Sequence, residues 1–171
     1  MFDLASLRPL TVDLPPIVIL STLDFGGAGI AALRLHQGLL AAGADVKMLV
    51  VTKQSKEPTV GELSVDGDSL DDRISAGWAK ALHDYPARPK GAAMFSTAEA
   101  PFNFADLDLV KNAGLVNLHW CAGMLPWPAA GANLRGKPLV WTLHDKNPFT
   151  GGCHCVRDCE RWRQGGCREC P

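Results

Sequence analysis

Short apolar runs alternate along this chain with stretches of helical period. Residues 17–23 form a β-branched run, Ile17-Val18-Ile19-Leu20-Ser21-Thr22-Leu23, closed by Asp24-Phe25-Gly26-Gly27-Ala28-Gly29. A continuous apolar run of this length bounded by turn residues predicts a buried parallel strand running into a glycine loop. Ile30, Leu33, Leu35, Leu39 and Leu40 then recur at roughly helical spacing among alanines, with Gly43 as the stop, so a helix is expected from about residue 30. Residues 45–52 read as a second strand. Strand, loop, helix and strand in this order make a βαβ unit, which builds parallel sheets with right-handed crossovers. Residues 53–72 turn polar and predict a surface loop with a short hairpin. The apolar positions Leu70, Ile74, Trp78, Ala81 and Leu82 predict an amphipathic helix ending before Pro86. Residues 86–104 read as irregular. Two more strands are expected at 115–120 and 138–144, joined by a short helical connection punctuated by Pro126, Pro128, Gly131 and Gly136.

The resulting expectation is an α/β fold: a Rossmann-like parallel sheet of at least four strands with helices on both faces, followed by a cysteine-rich loop. Residues 1–15 read as an extended lead-in, 16–150 as the Rossmann-like domain and 151–171 as the cysteine-rich segment. With 171 residues, 47% hydrophobic and 20% charged, one domain with a real core is the reading. A net charge of −1 offers no basic footprint for nucleic acid. No apolar stretch approaches the ~20 residues of a membrane-spanning helix, and Met1-Phe2-Asp3-Leu4 lacks the basic start of a signal peptide. The expected location is the cytoplasm, with at most peripheral association with the inner face of the plasma membrane.

Three features bear chemistry. A glycine turn opening a helix presents unpaired N–H groups to an anion, and Gly26, Gly27 and Gly29 would line it. The stretch Gly27-Ala28-Gly29-Ile30-Ala31-Ala32 also fits the dinucleotide pattern G-x-G-x-x-A, but the second strand ends Val50-Val51-Thr52-Lys53 without the acid that holds the ribose. A turn with no ligand is the alternative. His119 and His144 each close a strand, and ligands of open α/β sheets bind at that edge, so the two histidines and the glycine loop converge. Asp145 reads equally as a partner of His144 and as an N-cap or loop residue. Five of the six cysteines lie between Cys153 and Cys170. Thiolates at such spacing suit structural zinc more than an iron–sulfur cluster, with Cys153, Cys159, Cys167 and Cys170 as the preferred set and Cys155 or His154 as substitutes; an iron–sulfur cluster, free thiols or disulfides are the alternatives. Cys121 reads as a small buried hydrophobe.

The blocks Asp24-Phe25-Gly26-Gly27-Ala28-Gly29-Ile30-Ala31, Asn117-Leu118-His119-Trp120, Trp141-Thr142-Leu143-His144-Asp145 and Pro148-Phe149-Thr150-Gly151-Gly152-Cys153-His154 together resemble the N-terminal domain of family 4 glycosyltransferases, most closely the branch that builds exopolysaccharide and colanic-acid-type surface sugars. Lys146 and Asn147 stand where that family usually has a methionine and an aromatic residue, and Cys155 where an aromatic is expected. The resemblance implies one half of a GT-B fold: two Rossmann-like domains facing a cleft and retaining transfer from a nucleotide-diphosphate sugar to a glycan or lipid-linked acceptor. Gly26 and Gly27 would then approach the donor phosphates or the acceptor, with His144 against the donor sugar and His119 lining the same cleft. The donor-binding domain would follow the cysteine cluster. These 171 residues are therefore expected to form the acceptor-side wall and to be inactive without that domain, which a separately encoded partner could supply. The competing expectation is a non-catalytic, zinc-stabilised Rossmann-like module that binds another protein.

Overall fold

The computed structural model describes residues 13–65, 68–88, 94–156, 158–164 and 167. Its centre is a five-stranded parallel sheet with the order β3-β2-β1-β6-β7. Strand β1 is Ile17–Leu23, β2 is Val46–Thr52, β3 is Val60–Glu62, β6 is Leu115–Leu118 and β7 is Leu139–Trp141. Strands β4 (Ser64–Val65) and β5 (Asp68–Ser69) form a separate antiparallel pair. The chain winds outward from β1 through β2 to β3, returns across the sheet to β6, and continues to β7. This is a doubly wound order whose switch point lies between β1 and β6.

The central strands are apolar almost throughout because both of their faces are covered. Side chains nevertheless alternate. Ile17 and Ile19 of β1, with Val46, Met48 and Val50 of β2, pack on one face against helix α1 (Gly26–Ala41) through Ala32, Leu33, Leu39 and Leu40. Val18 and Leu20, with Leu49, Val51, Val116 and Leu118, pack on the other face. There they meet Leu70 and Ile74 of α2 (Leu70–Asp84), Val110 of α3 (Asp108–Lys111), and Ala130 of α4 (Trp127–Asn133). A third, smaller apolar cluster joins Ala81 of α2 to Phe95, Cys153 and Val156. Among the described residues, no helix is long and apolar enough to cross a membrane.

Three differences from the expectations have local causes, and one expectation, for Cys121, is met. Helix α1 begins at Gly26, not near residue 30, so the glycine loop is the helix's own first turn. Gly26 takes φ +68 to turn the chain off β1. The polar stretch after β2 contributes β3 to the main sheet, because Val60 is buried against Met48 and its neighbours; the expected hairpin is β4–β5. The run at 138–144 is in strand only over Leu139–Trp141. Cys121 is 4% exposed, its thiol pushed up to about 12 by burial, as a small buried hydrophobe should be.

The first turn of α1 separates two glycines by their packing. A Cβ on Gly29 would lie 2.6 Å from the Leu23 carbonyl oxygen and 2.8 Å from the Asp24 carbonyl carbon, both backbone atoms, whereas one on Gly27 meets nothing within 4 Å. Gly29→Ala is therefore expected to destabilise by about 1–3 kcal/mol or more. Gly27→Ala should be neutral or stabilising by up to about 1 kcal/mol through helix propensity. Urea unfolding midpoints of the two variants check this contrast.

Candidate functional site at the carboxyl edge of the sheet

The β1–β6 pairing continues past the regular strands. His119 N–H donates to the Leu20 carbonyl at 2.9 Å and Thr22 N–H to the Trp120 carbonyl at 2.7 Å, while the Thr22 hydroxyl donates to the Ala122 carbonyl. This extension fixes His119 and Trp120 beside the end of β1. On the other side Thr142 N–H donates to the Leu118 carbonyl, which carries the chain beyond β7 toward His144. The glycine turn, Trp120, His144 and Asp145 thus come together at the switch point. They line one cavity of about 350 Å³, with Phe25, Ala28 and Met94 among its other walls.

Of the three predicted glycines, Gly26 and Gly27 are exposed to this cavity, while Gly29 is buried and serves close packing of α1 on the end of β1. The N-cap residue Phe25 offers no side-chain cap, and the first turn holds no acid. That end of α1 keeps its positive electrostatic character for an anion. Asp24, 2% exposed, faces away from this role. Its carboxylate accepts the backbone N–H groups of Gln54 at 2.8 Å and Ser55 at 2.9 Å, tying the loop after β2 to the glycine turn. Burial opposes its ionisation, but these bonds outweigh it and hold the carboxyl below its ordinary range. The end of β2 is thus closed by its own loop, with Lys53 N–H on the Glu62 carboxylate, which counts against a ribose-binding acid there.

His119 and His144 form a directly bonded pair. His119 Nδ1 lies 2.9 Å from His144 Nε2 and the rings stack with centroids 5.0 Å apart. His119 is 3% exposed and its Nε2 has no partner among the described residues. A buried N–H without an acceptor is the more costly orphan, so we assign the Nε2 of His119 as bare and its Nδ1–H as donor to His144 Nε2. Neutral His144 then carries its proton on Nδ1, as a free donor on an exposed ring. Burial and the adjacent His144 push His119 down to about 4.

Asp145 does not pair with His144. Its carboxylate accepts from Trp120 Nε1 at 2.8 Å, from the backbone N–H of Asn147 at 2.9 Å, and from His154 Nδ1 at 2.5 Å. The bond to Asn147 two residues on makes it a loop residue of the Asx type. Burial again opposes ionisation, and the bonds from His154, Asn147 and Trp120 overcome it, leaving the carboxyl below its ordinary range. His154 continues through Nε2 to the Ser96 hydroxyl at 2.8 Å. Trp120, Ser96, Asn147 and the role of His154 were not legible as site residues in the sequence. The one available signal was the aspartate and histidine nine positions apart within the block 144–154.

Cys153 is buried and shares the wall of a small cavity with Cys167, and Cys159 packs on the same apolar cluster as Cys153. Cys155 is exposed, and Cys170 lies outside the described residues. Among the described residues no three ligand side chains stand where they could hold one metal ion. Compared with protein-family models, curated proteins and solved structures, the chain matches none.

Two outcomes follow. His119 is neutral in the folded protein down to about pH 4 but protonates near 6.5 when unfolded. Stability should therefore be full above pH 6.5 and fall by up to tenfold in the folding equilibrium per pH unit between 6.5 and 4. His36, also lowered by its burial, adds in the same sense. His119→Gln should flatten that limb in pH-dependent urea unfolding. Elemental analysis of anaerobically purified protein tests the expected zinc: near one equivalent, lost in Cys167→Ser, supports the four-cysteine set, and metal-free protein that stays folded under reductant rejects it.

Proposed function

We propose that this chain is the acceptor-side part of a glycosyltransferase that moves a sugar from a nucleotide-diphosphate donor to a glycan or lipid-linked acceptor, in the manner of the family 4 enzymes it resembles. The observation that carries the reading is the shared cavity: the uncapped, acid-free first turn of α1 and the outward N–H of His144 face one space at the switch point of a doubly wound sheet. Diphosphate is stabilised by helix N-terminal N–H groups, and a sugar hydroxyl or a departing oxygen by a fixed neutral donor such as His144 Nδ1–H. His119 positions that donor through their mutual bond. Among the described residues, no pair of carboxylates lines this cavity as hydrolysis of a glycoside would require, and Asp145 is occupied by three donors.

One wall of a cleft supplies only part of the orientation that transfer needs. The 171-residue chain is expected to bind nucleotide-diphosphate sugars weakly and to turn none over, with transfer appearing once a donor-binding domain is supplied. His144→Ala should weaken that binding by roughly two- to tenfold, the worth of one neutral hydrogen bond. Titration by nuclear magnetic resonance, with free pyrophosphate in parallel, reads the binding. Absence of binding by every nucleotide-diphosphate sugar sinks the site, and turnover by the isolated chain sinks the half-site reading.

A second reading, a non-catalytic module, is favoured by one feature. Leu139 and Val140 of β7, with Leu143 and Phe149 beyond it, are 46–56% exposed, an apolar surface along the outermost strand of the kind that marks protein contacts.

A further inference from the structure

Beside the glycine-turn cavity, whose wall Asp145 shares, three residues from separate segments meet in a nucleophile–base–acid order. The segment at residues 94–96 runs antiparallel to 152–154: Phe95 pairs with Cys153, Ser96 N–H donates to the Gly152 carbonyl at 3.0 Å, and His154 N–H donates to the Met94 carbonyl at 3.4 Å. This short ladder holds Ser96 opposite His154. Gly152 makes the approach possible, because it takes φ +152 and a Cβ there would lie 2.5 Å from Phe95 Cζ.

Proton assignment along the chain follows from the acid. The Asp145 carboxylate only accepts, so His154 Nδ1, 2.5 Å away, carries a proton, and the Trp120 indole N–H at 2.8 Å completes the clamp. His154 Nε2 is therefore the bare nitrogen, and the Ser96 hydroxyl, 2.8 Å away, donates to it. Asn147 Nδ2 approaches the same hydroxyl oxygen at 3.3 Å and faces the Ser96 and Gly152 carbonyls at 3.3 and 3.0 Å, which holds the serine in place opposite His154. The arrangement matches the Ser-His-Asp relay by geometry and roles, in the chain order serine, aspartate, histidine. Ser96 and His154 are each 3% exposed, and Ser96 forms part of the wall of a cavity of about 320 Å³ shared with Trp78, Tyr85, Thr97, Glu99 and Gly123. A serine hydroxyl bonded to an imidazole that is itself oriented by a carboxylate is the arrangement of an activated nucleophile.

We propose that Ser96, His154 and Asp145 form a nucleophilic triad that hydrolyses a small O-acyl ester bound in the cavity beside α2. Ser96 Oγ attacks the ester carbonyl carbon while its proton passes to His154 Nε2. The bond from that carbon to the alkoxy oxygen breaks, and the departing alcohol takes the proton, leaving acyl-Ser96. Water then attacks the acyl carbon and gives its proton to His154, which returns it to Ser96 Oγ as the carboxylic acid leaves. Asp145 keeps Nδ1 protonated and the ring oriented throughout. Arg73, Thr97 and Glu99 in the cavity wall give the bound ester a polar frame, and Trp78 a flat apolar one. This activity is independent of the sugar-transfer reading, because neither His144 nor the glycine turn takes part.

The test is labelling of the folded wild-type chain with diisopropyl fluorophosphate, a small probe in which the serine oxygen bonds to phosphorus and fluoride leaves. Peptide mass spectrometry is expected to find one adduct, on Ser96, with p-nitrophenyl acetate hydrolysis falling in parallel, and no adduct in urea-unfolded protein. His154→Gln should slow labelling at least about 100-fold. Since the wild-type adduct alone decides the matter, misfolding of the variant leaves the test intact. No adduct on Ser96 in protein with native circular dichroism, or an adduct on another residue only, overturns the proposal.

Discussion

The carboxylate of Asp145 is the point at which the upper edge of this molecule is tied together. Trp120 reaches it from the end of β6, Asn147 from the loop it begins, and His154 from the segment paired with residues 94–96. Each bond is charge-assisted and largely out of water, so each is worth roughly twice a neutral one. Removing the carboxylate would leave Trp120 Nε1 and His154 Nδ1, 3.2 Å apart, with only each other and would take the acceptor from the Asn147 N–H, which is costlier than losing one contact. Asn147 extends the knot through its amide to the carbonyls of Ser96 and Gly152. The walls of both large cavities are therefore held by one acid. The strands below it supply position, and the sheet alone does not set the loops.

The sheet was legible because burial on both faces leaves a direct mark. Residues 17–23 read as a strand with the boundaries later found, and Gly43, at φ +86, ends α1 where a C-terminal stop belongs. Strand β3 escaped because three residues carry too little period, and because Glu57 and Thr59 beside it are polar. The start of α1 was misplaced because glycine lowers helix propensity, and here tertiary packing at Gly29 overrides that preference. At the site, strand-end reasoning put His119, His144 and the glycine turn at one edge; in the structure His144 lines the cavity with the glycine turn, while His119 is buried behind it, bonded to His144, and does not line that cavity. What it could not show is pairing across sequence. Asp145 reads equally as a partner of His144 and as a loop residue; it bonds Asn147 two residues on, as a loop residue does, while its side-chain partners are 25 and 9 residues away. Ser96, 58 residues from His154, has no periodic or spacing signal at all.

The two histidine systems differ in a way that assigns their chemistry. His154 receives an anion at Nδ1, which keeps Nε2 bare and accepting toward Ser96. His144 receives a neutral ring at Nε2, which leaves a proton on Nδ1 at the open face. Reversing the His119–His144 bond would place a proton on His119 Nε2, a buried atom with no acceptor among the described residues, so the pair is directional. A carboxylate behind an imidazole makes a base; an inert, buried imidazole behind another makes a fixed neutral donor. The glycine-turn cavity has helix N–H groups on one side and this donor on the other, and among the described residues its one lining carboxylate, Asp145, is already taken up by three N–H donors. That asymmetry fits a site where charge is stabilised as a bond to phosphate breaks, and it separates the cavity at the switch point from the one that borders Ser96.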